Sequence, residues 1–595
     1  MFLIDYALPL AAALLLILFF SGLPALKTCA LPAPQSRQTT RMGRIDWLLA
    51  LLITGVYALT AFWNLGDKTA PQTFVSMAAQ TVEVELPEAT PLGDMWIYPG
   101  VGQGSYAIDF SADGAQWEHA LDFQQGHVEV LKWTRLQPEI VSAPARIRIA
   151  CTAGSPWLGE LVLLDEAGRV IPLRCTASAL CDEADTLPAE ESFMNSTYFD
   201  EIYHARTAWE HLHGIWPYEI SHPPLGKLII ALGIRLFGMT PFGWRFMGTL
   251  FGVLMLPVMY LFLKKLFGGC AVPALGTLVF ASDFMHYVQT RIATIDTYGV
   301  FFILLMYLCM YVYWERESLP ALALSGLFFG LGAASKWTCI YAGGGLAVLW
   351  ALHWAFQLHS HREEDLRTLA AAFGKNVLFC LLFFVAVPCL IYYLSYLPYG
   401  QAEGAPLFSR AYTKLVLDNQ RFMFSYHVGV TAEHPYSSRW YQWLLDIRPI
   451  LYYLHYFEDG TRSSICAFVN PALCWGGLLS LFVLLFMALA RRDRRAGFLL
   501  IGFLAQLLPW IFIRRLTFAY HYFPSSVFLV LALGYVFTLM RDSTPRWHLY
   551  VGAFALGSVA LFLLFFPALS GLPVDNELAG ICMGWLPTWP LMRLL

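Results

Sequence analysis

Two carboxylates stand side by side at Asp200 and Glu201, in the stretch Tyr198-Phe199-Asp200-Glu201-Ile202-Tyr203-His204-Ala205-Arg206. A positioned carboxylate can take the proton from an attacking hydroxyl, and two adjacent ones repel when both are ionised, which raises the pKa of one. The residues that follow carry a helical stripe, Ile202, Ala205, Trp209 and Leu212, so both acids fall in a first helical turn. There the partial positive charge of the helix stabilises an anion by about 0.3–1 kcal/mol with no chemistry required. The dipeptide alone fits a general base and fits plain helix stabilisation. What decides between them is the rest of the chain.

The chain is 57% hydrophobic and only 13% charged, which excludes an ordinary soluble globule and points to a polytopic membrane protein. Apolar runs long enough to cross roughly 30 Å of hydrocarbon number about twelve. They cover 6–26, 46–66, 243–264, 271–289, 292–314, 320–336, 339–357, 374–396, 466–490, 496–513, 518–540 and 548–568. The first is expected to stay as a helix, because Asp5 stands where a signal peptide has its basic region. Lys27, Arg37, Arg41 and Arg44, Lys264-Lys265, the 358–373 connection, Arg491 to Arg495, and Arg541 to Arg546 mark cytoplasmic connections. Both termini and two large loops, 67–242 and 397–465, then lie outside.

Several cations oppose that bias. Arg291, Lys336, Arg514 and Arg515 occupy short connections assigned to the outer face, and Lys227 and Arg245 lie outside near the third span. As a set they fit an external anionic substrate, while each alone also fits snorkelling to lipid headgroups. Asp283 and Asp296 flank the tight turn that holds Arg291, and with His286 they form either an ion network or a substrate contact.

The first outer loop changes character along its length. Short alternating segments at 81–86, 106–110, 127–131, 146–150 and 160–164, separated by turns such as Asp113-Gly114, predict a β-sandwich insert. The phrases at 108–117 and 159–168 resemble discoidin-like jelly-roll modules, which often bind carbohydrate. Trp96, Tyr98, Trp117, Trp133 and Trp157 are then a sugar platform or simply core. Cys175 and Cys181 are able to pair in an oxidising exterior, leaving Cys151 single.

Further motifs accompany the acidic pair: His222-Pro223-Pro224-Leu225-Gly226-Lys227, Gly243-Trp244-Arg245, Gln289-Thr290-Arg291, Ser335-Lys336-Trp337-Thr338, Tyr426-His427, His434-Pro435-Tyr436, and Arg515-Leu516-Thr517-Phe518-Ala519-Tyr520-His521. In this order the series resembles the protein O-mannosyltransferase family, glycosyltransferases of GT-C type that use a polyprenyl-phosphate sugar, over residues 195 to 590. The arrangement resembles its bacterial members, since 397–465 is too short for the MIR domain of the eukaryotic ones.

The resemblance implies an α-helical GT-C membrane protein with an inserted extracytoplasmic β-sandwich. Its donor would be a polyprenyl-phosphate sugar, with mannose expected, and its acceptor an exported protein or another hydroxyl compound. Asp200 would be the base, with Glu201 positioning the acceptor or sharing the proton. Arg245, Lys336, Arg514 and Arg515 would hold the donor phosphate, with Arg245 and Arg515 matching the motifs best. His222, Lys227, Asp283, Arg291, Asp296, His427, His434, Tyr520 and His521 would line the substrate pocket. A single displacement at the anomeric carbon would invert it.

The expected organisation is a two-helix segment with its linker over 1–66, the sandwich over 67–190, and a catalytic outer loop over 191–242. Helices follow over 243–396, then the second outer loop over 397–465, then helices and an outer tail over 466–595. No P-loop, dinucleotide fingerprint or nucleophile elbow is present. No metal or cofactor is expected, because the histidines lack metal spacing, and no nucleic-acid partner is indicated. Two other readings stay open: the same donor class with a glycolipid or wall-polymer acceptor, as in aminoarabinose transfer to lipid A, and a lipid-linked-sugar flippase or transporter.

Overall fold

The computed structural model describes residues 2–22, 40–138, 143–360, 366–431, 433–575, 584–589 and 591–592. Lys27, Arg37 and residues 576–583, 590 and 593–595 of the expected outer C-terminal tail lie outside the described residues. Contacts divide the chain into a helical unit, Met1–Trp63 with Ile220–Lys227 and Gly248–Leu595, and a second unit, Asn64–Glu219 with Leu228–Met247.

Along the chain the helices run α1 Phe2–Ser21, α2 Arg44–Phe62, α3 Glu201–Leu212, α4 Leu225–Phe237, α5 Pro241–Phe267, α6 Ala271–Ala281, α7 Phe284–Thr290, α8 Asp296–Arg316, α9 Leu319–Ser335 and α10 Cys339–Ser360. They continue as α11 Leu366–Leu381, α12 Val387–Ser395, α13 Leu397–Ala402, α14 Arg410–Gly429, α15 Trp440–Trp443, α16 Pro471–Ala490, α17 Arg494–Leu507, α18 Phe523–Ser543 and α19 Trp547–Ser570.

Each expected span overlaps a helix among the described residues, but those at 320–336 and 496–513 fall on α9 and α17, of 17 and 14 residues, short of a bilayer crossing. Among the described residues, eight stretches are long and apolar enough to cross a bilayer alone, and the bent pair α6–α7 makes a ninth. The fourth span is therefore corrected from one straight helix to two, set at 59°. Its break falls where Asp283 caps α7, its carboxylate accepting the His286 N–H at 3.1 Å. Between α11 and α12, residues 382–386 form a π turn just ahead of Pro388, whose missing N–H disrupts the ladder. Gly326 of α9 fits against this turn, for a β-carbon there would sit 2.3 Å from the Phe383 carbonyl.

The second unit holds the sandwich. One sheet has the order β1-β8-β3-β6 and the other β5-β4-β7-β2-β9, with β1 Val75–Ser76, β2 Thr81–Glu85, β3 Leu92–Pro99, β4 Gly104–Ser111, β5 Glu118–Gln125, β6 Thr134–Leu136, β7 Arg146–Gly154, β8 Trp157–Asp165 and β9 Arg174–Cys175. All pairings are antiparallel, so alternate side chains such as Val82, Val84, Ile108, Ile147, Ile149, Leu161 and Leu163 close one apolar core. Cys175 and Cys181 are bonded. The strand expected at 127–131 is instead a turn, with Glu129 accepting the Gly126 N–H at 2.8 Å and Leu131 at φ 59°.

The five aromatic residues do not make one platform. Tyr98 and Trp133 are buried against each other at 5.3 Å, Trp157 packs on Trp209, and Trp117 carries the Arg148 guanidinium on its face.

Candidate functional site

The acidic pair begins α3 as the stripe predicts, with Asp200 at the N-cap position and Glu201 in the first turn. Phe199 just before it sits at φ 49°, a left-handed conformation that costs an L-residue about 1 kcal/mol or more. The two carboxylates have different fates. Glu201 is fully buried and grips Arg245 with both oxygens, Nε donating to Oε1 at 2.8 Å and Nη2 to Oε2 at 2.7 Å. The remaining Arg245 donors go to backbone carbonyls: Nη1 to Leu65 and Phe193 at 3.0 and 2.7 Å, and Nη2 to Ser196 at 2.9 Å. All five N–H groups of this guanidinium are thus engaged by the protein, and the Tyr198 ring covers it at 4.8 Å. Asp200 is half-buried, its carbonyl accepts from the Tyr203 and His204 N–H groups, and its side chain does not cap the helix.

In the helical unit a second set of expected residues comes together. Lys336, at the end of α9, forms an ion pair with Asp296 at 2.5 Å and lies 5.5 Å over the Tyr520 ring. Buried Lys227 donates to the His222 carbonyl at 3.0 Å, and the His222 ring meets His427 edge to face at 5.1 Å. His427 Nε2 donates to the Ser221 carbonyl at 2.9 Å, an acceptor that fixes its tautomer. Burial pushes the His427 imidazole down to about 4, and the nearby charges of His222, Arg515 and Lys336 act in the same direction. His427 is consequently neutral at physiological pH. Arg515 is half-buried and has no ion pair among the described residues. His521 stacks on Tyr520 at 4.4 Å and accepts the Phe518 N–H at Nδ1.

The other expected residues differ in how they relate to this set. Among the described residues Asp283 and Asp296 have separate partners: Asp283 accepts from the backbone of His286 and Asn470, and Asp296 holds Lys336. Arg291 donates to the Ala61 and Trp63 carbonyls, where the last turn of α2 leaves acceptors over. Arg514 is exposed, and His434 accepts the Tyr436 N–H and meets the Phe518 ring at 5.1 Å, with burial lowering its pKa.

A chain of hydrogen bonds runs beside His427, whose ring lies 6.2 Å from that of Trp337, and two of its members, Asn419 and Gln420, were not anticipated from the sequence. Trp337 donates to Tyr392, Tyr392 to Gln420, Gln420 to Tyr396, and Tyr396 to Asn419, whose amide reaches the Ile220 carbonyl. The available signal was weak, since Asn419, Gln420 and His427 lie on α14 among other polar residues such as Lys414, Asp418 and Arg421. Among the described residues, the one acidic group with ligand atoms close enough for a metal is Glu160, Asp182 and Glu183 in the sandwich. There Glu160 and Glu183 already accept backbone N–H bonds, which supports a hydrogen-bonded corner rather than a metal cage.

Comparison with known proteins bears on this arrangement. Residues 221–392 match the dolichyl-phosphate-mannose-protein mannosyltransferase family, and residues 412–589 match the C-terminal four TMM region of protein-O-mannosyltransferase. The polyprenol-phosphate-mannose–protein mannosyltransferase of Mycobacterium tuberculosis is 26% identical over 453 residues, covering 66% of this chain and 86% of that protein. The protein of the same name from Mycolicibacterium smegmatis is 25% identical over 527 residues, 74% of this chain and 99% of its own length. In fold, the chain is similar to the Saccharomyces cerevisiae protein O-mannosyltransferase Pmt1–Pmt2 complex bound to the sugar donor, with a TM-score of 0.58 and 14% identity, over 67% of this chain and 90% of that one.

The polytopic helical membrane architecture is that of a glycosyltransferase of the GT-C type. Both matched segments narrow this further: the chain belongs to the protein O-mannosyltransferase family, and is a mannosyltransferase.

Proposed function

We propose that the protein moves a mannosyl group from polyprenyl phosphate to Ser or Thr hydroxyls of exported proteins, on the outer face of the plasma membrane. Support for donor and acceptor comes from the names of the mycobacterial relatives. Support for sidedness comes from the basic residues of the connections after α5, α16 and α18, which favour a cytoplasmic position.

The observation that carries the chemical assignment is the saturation of Arg245 by Glu201 and three carbonyls. Glu201 cannot accept a proton without breaking a buried ion pair, so the base is Asp200 and Glu201 is a positioning residue. For the same reason Arg245 does not hold phosphate. Lys336 shares its charge with Asp296, which leaves Arg515 as the principal phosphate ligand and Lys336 as its auxiliary. In the reaction the acceptor oxygen bonds to the anomeric carbon and its proton passes to Asp200. The bond from that carbon to the phosphate oxygen breaks, its electron pair leaving with polyprenyl phosphate, whose charge Arg515 and Lys336 stabilise. Attack opposite the leaving group inverts the anomeric carbon.

The test supplies washed membranes containing the protein with polyprenyl-phosphate mannose and a Ser/Thr-rich exported acceptor. Hexose on acceptor peptides, seen by mass spectrometry, is expected. Incorporation into glycolipid alone would refute the acceptor assignment.

A further inference from the structure

The helical unit has a second polar site at its other end. Helix α8 carries Asp296 in its first turn and Glu315 in its last. A rise of about 1.5 Å per residue puts these roughly 28 Å apart, about the thickness of a bilayer core. Around Glu315 the ends of α8 and α10 and the start of α17 enclose a cavity of about 120 Å³. One water needs only about 10–15 Å³ measured this way, so there is room for a group of several heavy atoms.

Two guanidiniums line it, Arg494 and Arg495. Arg494 lies over the Phe356 ring at 4.4 Å and makes no hydrogen bond or ion pair among the described residues. Arg495 gives one Nη1 bond to the Leu266 carbonyl at 3.2 Å. The acid between them and the preceding arginines, Asp493, is committed elsewhere, since its side chain caps α17 and accepts from Tyr535 at 2.9 Å. Within the cavity the opposing charge is Glu315, which accepts from Tyr311 at 3.2 Å. His353 also faces the space. Among the lining residues two guanidiniums face one carboxylate, and a second, Glu317, stands within 4.0 Å of His353 and is hydrogen-bonded to Gln357.

The surroundings fix the depth of this site in the bilayer. Trp314 donates to the Leu349 carbonyl, and Trp350 and Trp354 both donate to Asn376, a cluster of indoles typical of the headgroup level. On α10 the apolar side chains Leu352, Phe356 and Leu358 are exposed, as they are where a helix meets acyl chains. Paired forks of N–H donors over an aromatic wall match the oxygens of a phosphate better than any neutral group.

We propose that this cavity binds the phosphate of an anionic molecule, either the headgroup of a phospholipid in the leaflet opposite the Asp296–Lys336 pair or a soluble phosphate. Basic pockets between helices at the cytoplasmic surface recognise lipid phosphate in this way. Bound phosphate ties α8 and α10 to α17, the first two being the helices that begin beside Asp296 and Lys336.

The test follows thermal unfolding of the purified full chain in neutral detergent with phosphatidylglycerol, phosphatidylcholine or inorganic phosphate added. Phosphatidylglycerol is expected to raise Tm and phosphatidylcholine to leave it unchanged. The double variant Arg494→Gln/Arg495→Gln is expected to lose that shift. Arg494→Gln alone, at an exposed position that folding tolerates, should lose at least half of it. Arg491→Gln/Arg492→Gln, which removes the same charge outside the cavity, should keep it. A full shift with inorganic phosphate, to which the lipid adds nothing, supports the site and assigns the soluble source. Equal loss in both double variants, or a wild-type response in Arg494→Gln/Arg495→Gln, would overturn the proposal.

Discussion

Replacing Glu201 by Gln separates a structural carboxylate from a chemical one. The Glu201–Arg245 side chains are 0% and 1% exposed, so water and salt do little to screen what the substitution leaves behind. Gln supplies one acceptor where two were used and turns an N–H₂ toward Nη2, a donor facing a donor. Breaking one partner of a buried pair costs about 3–5 kcal/mol, most of it the uncompensated charge. That is a large part of a usual folding free energy of about 5–15 kcal/mol. Purified Glu201→Gln should therefore unfold many degrees below wild type, and added salt should not restore it. Asp200→Asn keeps the shape of a half-buried side chain and should unfold as wild type does. Its transfer rate should fall by about 10²–10⁴, the usual worth of a general base, while donor binding persists. Glu201→Gln with normal stability but no transfer would show that Glu201 does chemistry itself. Near-normal transfer by Asp200→Asn would refute the base assignment.

Arg515→Gln should raise the KM for the polyprenyl-phosphate donor by one to two orders of magnitude, given about 1.5–3 kcal/mol for a hydrogen bond to a charged group, with Tm unchanged; titration of the donor in the transfer assay measures it. Burial raises the Glu160 carboxyl to about 7, with Asp182 and Glu183 adding to the shift. A folded-state value above the unfolded one means that this group's stabilisation is complete below the unfolded carboxylate range, near 4.3, and is lost as pH rises through about 7. Unfolding temperatures of the sandwich measured between pH 5 and 8 should fall across that window, and should fall less in Glu160→Gln. Reducing the Cys175–Cys181 bond, which closes a loop of six residues, should lower sandwich stability by about 2 kcal/mol on the chain-entropy estimate; thermal scans with and without reductant show it.

The helices were legible because crossing a bilayer demands a long apolar run whatever the tertiary context. Asp283 broke one of them because a buried carboxylate finds its partners in backbone N–H groups, and a helix start provides those. In the sandwich, Val82, Val84, Ile147 and Ile149 alternate cleanly and were legible as strand. Strands β3 and β5 were not, since Gly93 and Asp94 interrupt the first and only Ala120, Phe123 and Gln125 point inward from the second. Val128 and Val130 alternate with His127 and Glu129 yet lie in a bend and turn, Val130 buried and Val128 exposed. At the candidate site the residue types were legible and their availability was not. Arg245, Arg291, Lys336 and Arg515 look alike in a sequence, whereas the first two spend donors on carbonyls brought together only by folding.

The two carbonyls that share Nη1 of Arg245 belong to Leu65 and Phe193. One precedes the whole sandwich and the other follows it, and the Asp67 N–H bonding the Met194 carbonyl at 2.7 Å fastens the same doorway. The polypeptide thus departs and returns at a single point, and the domain in between is a cassette. Its length and content are free to vary without straining the strands at the doorway, so a chain with a short bridge in place of residues 70–190 should still build the Arg245 clamp and start α3 at the same residue.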